Sequence, residues 1–201
     1  MNRLEPDATF DCLYVIKHLH SQREGIAQQE VHLFAYLSCL LWIYCERPVS
    51  DWGYHFVGTE HGAPYSPEID VALRELLERG FLRRIHELVG LTKHAEQVLY
   101  DLTTHSINKE RAECLEAACS STAAFSVGMV SSALAKEPEL SRARAVPSRR
   151  FLLERAAQTQ LYDQFEALRK ALQARGHDLR LPAVVWLTAL YQLNKATPGD
   201  L

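Results

Sequence analysis

The sequence lacks the short patterns that usually announce bond-making chemistry. It has no glycine-rich loop of the kind that cradles phosphates, no GxSxG nucleophile turn and no HExxH metal pair. No catalytic constellation is therefore expected, and no cofactor. Cysteines paired as CxxC are missing too: the five cysteines stand at 12, 39, 45, 114 and 119. That scatter excludes a disulfide framework and predicts reduced thiols in a cytoplasmic protein. Cys39 and Cys45, with nine histidines in the chain, raise the question of a metal site. The clustering that coordination needs is absent, so they are read as small buried packing residues. Long apolar runs are scarce. The longest, residues 33–45, has thirteen residues, against roughly twenty for a membrane-spanning helix. The opening MNRLEPDATF has no apolar centre of the sort a signal peptide carries. A strong excess of charge is missing as well. The net charge is -3 over 201 residues, so any attraction to nucleic acid must come from a local patch.

What is present is helix-forming sequence. Asp7 stands where it would cap a first helix over residues 8–22, on which Leu13, Ile16 and Leu19 recur at helical spacing before Gly25. A second helix is expected over residues 28–45. It is apolar around most of its circumference, which puts it at the centre of a core, and Pro48 ends it. Trp52, Tyr54 and Phe56 alternate with Gly53 and His55, a pattern for a short extended piece, and Pro64 and Pro67 bracket a turn. Ser66 then reads as an N-cap with Pro67 in the first helical position. On the helix that follows, Ile69, Leu73, Leu76, Leu77 and Phe81 share one face, and Gly80 marks its stop.

Residues 82–89 predict one or two short strands, with a tight turn at His86 and Glu87 or at Gly90, and Thr92 caps another helix. Further on, a helix is expected over residues 106–136, whose small Ala, Ser and Gly side chains let another backbone approach. A loop follows over residues 138–147. Ser148 then caps a long helix with Phe151, Leu152, Leu161, Phe165, Leu168 and Leu172 near one side and Gly176 at its end, and a last helix starts at Pro182. Trp42, Trp52 and Trp186 are read as core.

Three helices, a small β wing and a further helix follow one another in the order of a winged helix-turn-helix. The stretch FVGTEHGAPYSPEIDVALRELLERGFL, residues 56–82, with the wing and the Leu91 and Thr92 that start the next helix, resembles the Panacea-type antitoxin domain and its relatives, the middle components of bacterial ABC three-component defence systems. The likeness covers residues 10–105. Where that family has Gly-Pro-Tyr-Ser, this chain has Gly62, Ala63, Pro64, Tyr65 and Ser66, with one residue inserted, and the Gly often found after the Leu-Thr is missing. The resemblance implies a winged helix-turn-helix with a small β wing in residues 1–105. It does not reach residues 106–201, which their own periodicity marks as a helical extension, so the expected fold is mainly α. The resemblance implies a type of role and no active site.

The charges sort the uses of such a fold. Outside its apolar face the helix after Ser66 carries Glu68, Asp70, Arg74, Glu75, Glu78 and Arg79, four acids against two bases. A major-groove reader must approach a duplex bearing about one negative charge per 1.7 Å of axis, and four carboxylates oppose that. Glu68, Asp70, Glu75 and Glu78 are therefore expected on a solvated face or a protein-docking face. Arg142, Arg144, Arg149, Arg150 and Arg155 fall within fourteen residues, with Glu154 the only acid among them. They are candidate contacts for an acidic protein or a nucleic-acid backbone, set against a plain solvated loop and helix start. Arg83 and Arg84 on the wing form a second, smaller patch. His18 and His20 lie about 200° apart on a helix and cannot share a ligand from one face. His55, His61 and Glu60 sit around a turn, where a metal or acid–base pair is weighed against a solvated turn.

By resemblance, the expected role is a non-catalytic accessory subunit of a bacterial anti-phage defence complex, bridging an SMC-like ATPase and an effector protein. The alternative is a stand-alone winged-helix transcription regulator or antitoxin. Nucleic-acid binding by the chain alone is expected to be weak and non-specific, with no membrane contact and a cytoplasmic location.

Overall fold

Helix α2 (Gln28–Tyr44) buries thirteen of its seventeen residues, so it has no stripe left for solvent and must lie inside. A computed structural model of the chain, which describes residues 5–20, 24–145, 150–153, 155–172 and 178–196, places it so. It is packed against α1 (Pro6–His20), α3 (Pro67–Glu78), α5 (Lys109–Ser120) and α8 (Arg155–Leu172). The protein is mainly helical, with two small sheets. A single hydrophobic cluster runs from Ala8 on α1 to Leu190 on α9 (Arg180–Ala196). Among the described residues, no single helix is long and apolar enough to cross a membrane.

The first helix starts two residues earlier than the sequence suggests. Pro6 opens α1, where a missing N–H costs nothing, and Asp7 sits inside the first turn instead of capping it. The Asp7 carboxylate fills the space beside Gly53, whose φ is +90°. A Cβ there would stand 2.1 Å from Asp7 Oδ2. Trp52, Tyr54 and Phe56 are all buried and meet in sequence as tilted ring pairs, but the extended piece expected of them lies one step later. A 3-10 turn covers Val49–Trp52, and strand β1 is Val57–Gly58. Strand β2 (Pro64–Tyr65) pairs antiparallel with β1, so Pro64 belongs to an edge strand, where a residue without an N–H is tolerated.

Helix α3 forms as its sequence indicates. Ser66 Oγ accepts from the Ile69 N–H at 3.4 Å, Pro67 follows, and Ile69, Leu73 and Leu76 are buried, with Ala72 beside them. Leu77 and Phe81 pack against the core without full burial. Gly80, at φ +73°, turns the chain out of the helix. Strands β3 (Leu82–Ile85) and β4 (Leu88–Leu91) then make a hairpin in register Leu82 to Leu91, its tight turn at His86 and Glu87, and His86 takes φ +55°. On its other edge, β4 meets Ile26: Ile26 N–H donates to Val89 O at 3.0 Å and Val89 N–H returns to Ile26 O at 2.9 Å. Thr92 Oγ1 accepts from Ala95 N–H and caps α4 (Lys93–Thr104).

The second half departs from expectation at three places. The single helix over 106–136 is broken. A 3-10 turn (Ser106–Asn108) precedes α5, a second 3-10 turn (Ser121–Ala123) follows it, and Ser126 caps a separate α6 (Val127–Leu134) through Met129 N–H at 3.3 Å. Ser106–Ala123 and Val127–Leu134 meet at 115°. The expected loop over 138–147 is helical through α7 (Pro138–Ala145). Glu137 supplies its cap: one carboxylate oxygen accepts from Glu139 N–H and Leu140 N–H, each at 3.0 Å. Phe151 and Leu152 do not join the long helix. β5 (Arg150–Phe151) pairs with β1, completing a sheet of order β2, β1, β5. Leu161 and Phe165 are buried on α8 as expected. Ser148 and Gly176 lie outside the described residues.

Candidate functional site

The α3 surface is assembled from its N-cap outward. His32 on α2 accepts the Ser66 N–H on Nδ1 at 3.1 Å and stacks on Tyr65 with ring centres 4.9 Å apart. Burial lowers the His32 pKa to about 4, so the ring is neutral at physiological pH and its Nδ1 is free to accept. Ser66 Oγ donates to Glu68 Oε2 at 2.9 Å, and Glu68 Oε1 lies 2.7 Å from His55 Nδ1. Along the helix, Asp70 pairs with Arg74 at 2.8 Å and Glu75 with Arg79 at 2.9 Å, both at i,i+4 spacing, while Glu78 is exposed. The acidic helix thus answers its own charges. Two of its four acids are braced by its own arginines and a third by His55, and no basic side chain on it is left over for phosphate.

Beside the start of α3 is a cavity of about 520 Å³, lined by Tyr54, His55, Glu68, Phe151 and Leu152 among others. Phe151 is 52% exposed, and its ring centre is 5.1 Å from that of His55. His61 and Glu60 are both exposed and 3.6 Å apart, as a solvated turn would have them.

The arginines do not gather as their sequence spacing suggests. Arg83 and Arg84 are exposed but adjacent on a strand, so they point to opposite faces of the hairpin. Arg142 and Arg144 are two positions apart on a helix and diverge by about 200°. Arg142 binds Glu139 Oε1 at 2.5 Å and Gln160 Oε1 at 2.8 Å. The stem of Arg144 lies over the Gly62 turn, its Cδ 3.4 Å from where a Cβ would stand. Arg149 lies outside the described residues. Arg150 pairs through its backbone with Gly58, and Arg155 begins α8; the side chains of both lie outside what is described.

Two charged groups that the sequence reading passed over are the most deeply built. Asp11 on α1 and Arg111 on α5 form a two-pronged pair: Nε to Oδ1 at 2.6 Å and Nη2 to Oδ2 at 2.8 Å. Their side chains are 0% and 6% exposed. Tyr54 donates its hydroxyl to Asp11 Oδ2 at 2.5 Å, Arg111 Nη1 donates to Trp52 O at 2.9 Å, and the guanidinium lies 3.9 Å from the Trp52 ring centre. Burial pushes the Asp11 carboxyl up, and Arg111 and Tyr54 pull it back. No periodicity in the sequence joins residues a hundred positions apart. The second group is Glu137, fully buried, which accepts from Tyr36 Oη at 3.1 Å besides its two backbone donors. Here a signal existed, because an acid directly before Pro138 is in an N-cap position.

Burial raises the Glu137 pKa above its ordinary 4.5 against the pull of its three donors. The folded chain then holds a proton that the unfolded chain has released. Its contribution to stability falls as pH rises from about 4.5 through the raised value. Glu137→Gln keeps an acceptor for the cap and cannot ionise. Relative to the parent, its melting temperature is expected to gain as pH rises above 4.5; parallel profiles would show that Glu137 is not the titrating group.

His18 and His20 serve different neighbours. His18 Nε2 lies 2.9 Å from Glu116, which also binds Tyr14 and Arg180, whereas His20 lies against Gly90. Among the described residues no three His, Cys, Asp or Glu side chains converge as metal ligands. No family model matches the chain, and no curated protein or solved structure is significantly similar to it.

Proposed function

We propose that the chain is a non-catalytic winged-helix adaptor, an accessory subunit of a bacterial anti-phage defence complex that bridges an SMC-like ATPase and an effector protein. The winged-helix reading is supported by the order of elements. Ile26, β4 and β3 lie side by side, with α1 before Ile26, α2 and α3 between Ile26 and β3, and a two-residue turn as the wing tip. The family reading rests on the resemblance of residues 56–82 and 91–92 described above.

The observation that carries the choice of protein over DNA is the outward row of α3. Its arginines are spent on Asp70 and Glu75, and Glu68 and Glu78 stand at its two ends. Together with the exposed Phe151, which lines one cavity with Glu68, this face offers an aromatic side chain at one end of a row of carboxylates, a composition suited to a protein partner with basic side chains.

The chain alone is expected to bind duplex DNA no more tightly than the non-specific range of roughly 10⁻⁴–10⁻⁶ M at physiological salt. A titration of random against promoter-derived duplexes checks this. Sequence-selective binding tighter by a factor on the order of a thousand would decide for the transcription-regulator reading instead. In co-purification with the products of neighbouring genes, Glu75→Lys with Glu78→Lys is expected to weaken assembly, the more so at low salt. The basic segment is best tested at Arg144 and Arg149. Reversing Arg142 would strand the buried Glu139 carboxylate and confuse stability with binding.

A further inference from the structure

The cavity beside the start of α3 contains an acid unlike the others of that helix. Asp70 and Glu75 have arginine partners one turn away, whereas the partners of Glu68 are Ser66 and His55. They fix its carboxylate from two sides: Ser66 Oγ donates to Oε2 at 2.9 Å, and His55 Nδ1 lies 2.7 Å from Oε1. A carboxylate has about four acceptor positions, two on each oxygen. One on each oxygen is therefore taken and one on each remains. The Glu68 side chain is 26% exposed and lines the cavity, so the remaining pair can be reached from it.

The rest of the wall suits a flat cation with an apolar stem. Phe151 lines the same cavity, is 52% exposed, and has its ring centre 5.1 Å from that of His55. Val49 and Leu152 add apolar surface. Ser50, also in the wall, donates to the exposed carboxylate of Asp51 at 3.0 Å, which sets a second negative charge nearby. No lysine or arginine is among the described lining residues. The volume of about 520 Å³ falls within the range of roughly 300–1,000 Å³ that small-ligand sites occupy.

These groups narrow the occupant. An anion would be repelled by Glu68 and Asp51. A purely apolar group would cover the open acceptor positions of Glu68 without giving them a donor, which is unfavourable. An ammonium group answers the charge only as a point. A guanidinium presents two parallel N–H groups to two carboxylate oxygens and a flat face to an aromatic ring.

We propose that this cavity is an arginine socket: it takes one arginine side chain of the partner protein, with the guanidinium on Glu68 and its flank along Phe151. The socket rests on the reading of α3 as a protein-docking face and gives that face its anchor. Ser66 and His55 are positioning residues, which hold the carboxylate ready for a two-pronged contact.

The full chain, isotope-labelled, is titrated with Nα-acetyl-arginine methylamide while its amide resonances are followed. Saturable shifts at His55, Glu68 and Phe151 are expected, with a Kd on the order of 1 mM. The lysine analogue should bind about threefold or more weaker, and the citrulline analogue, which keeps the shape and loses the charge, about tenfold or more. Glu68→Gln should weaken the arginine probe about tenfold or more and Phe151→Ala about threefold or more, with Glu75→Gln neutral. Phe151 is exposed, so its variant tests the socket without touching the core. Lysine or citrulline binding as tightly as arginine, binding that survives Glu68→Gln or Phe151→Ala, shifts centred elsewhere, or no binding at about 20 mM would each overturn the socket. The docking reading fails by a different sign, co-purification unchanged by Glu75→Lys with Glu78→Lys, so the two failures are told apart.

Discussion

Arg111→Ala is expected to lower the stability of the folded chain by about 3–5 kcal/mol, because it leaves the Asp11 carboxylate buried without its counter-charge. For a chain of this size each kcal/mol moves the melting temperature by about 2–4 °C, so a fall of roughly 6–20 °C is predicted. The loss belongs to the stranded partner more than to the pair itself. Taking both charges out of water was costly to begin with. Their attraction repays that cost only through the two-pronged geometry and the bonds from Tyr54 and to Trp52 O. The double replacement Asp11→Leu with Arg111→Met should therefore recover most of the lost stability. Arg111→Lys, which keeps the charge and loses the planar fork, should fall between. Thermal and denaturant melts of the three variants check the ranking. A single variant within about 0.5 kcal/mol of the parent would mean that water reaches this site and that the pair is not sealed.

Leu73→Ala and Leu76→Ala should each cost about 2–5 kcal/mol, since both side chains are nearly inaccessible in the middle of the inner face of α3. Leu77→Ala should cost less, because Leu77 is only partly buried. This series also reads out function. The acid row of α3 is held in place by that inner face, so partner binding should decline with stability for Leu73 and Leu76. It should separate from stability for Glu75 and Glu78. An unchanged melting temperature in Leu76→Ala would remove the inner face assigned to this helix.

The features read most directly from the sequence were those written within a few residues. Ser66 before Pro67, the apolar face of α3, Thr92 before its helix and the tight turn at His86 and Glu87 are local instructions, and the fold carries them out. What was misread needed either a weak local cue or a distant partner. The run of small residues around Ser121 looks helical by propensity, yet Ser126 caps a new helix at 115° to the old one. Spacing alone sets Arg142 and Arg144 side by side in a loop, but they diverge because Glu137 and Pro138 start a helix there. Apolar spacing places Phe151 on a helical stripe because spacing carries no sign that β1 offers an open edge. The buried pair of Asp11 and Arg111 was illegible for a different reason. Each residue alone reads as an ordinary surface charge, and only the folded chain brings them together.

That separation has a consequence during synthesis. Asp11 leaves the ribosome a hundred residues ahead of Arg111, an interval of about 5–20 s at bacterial or eukaryotic elongation rates of roughly 5–20 residues per second. For that time α1 carries a carboxylate that its apolar neighbours cannot bury without penalty, so the amino-terminal helices have reason to wait, solvated at that edge, until α5 arrives. The pair cannot form before α5 has been made, so the bond that seals Asp11 is among the later contacts the first helix can gain.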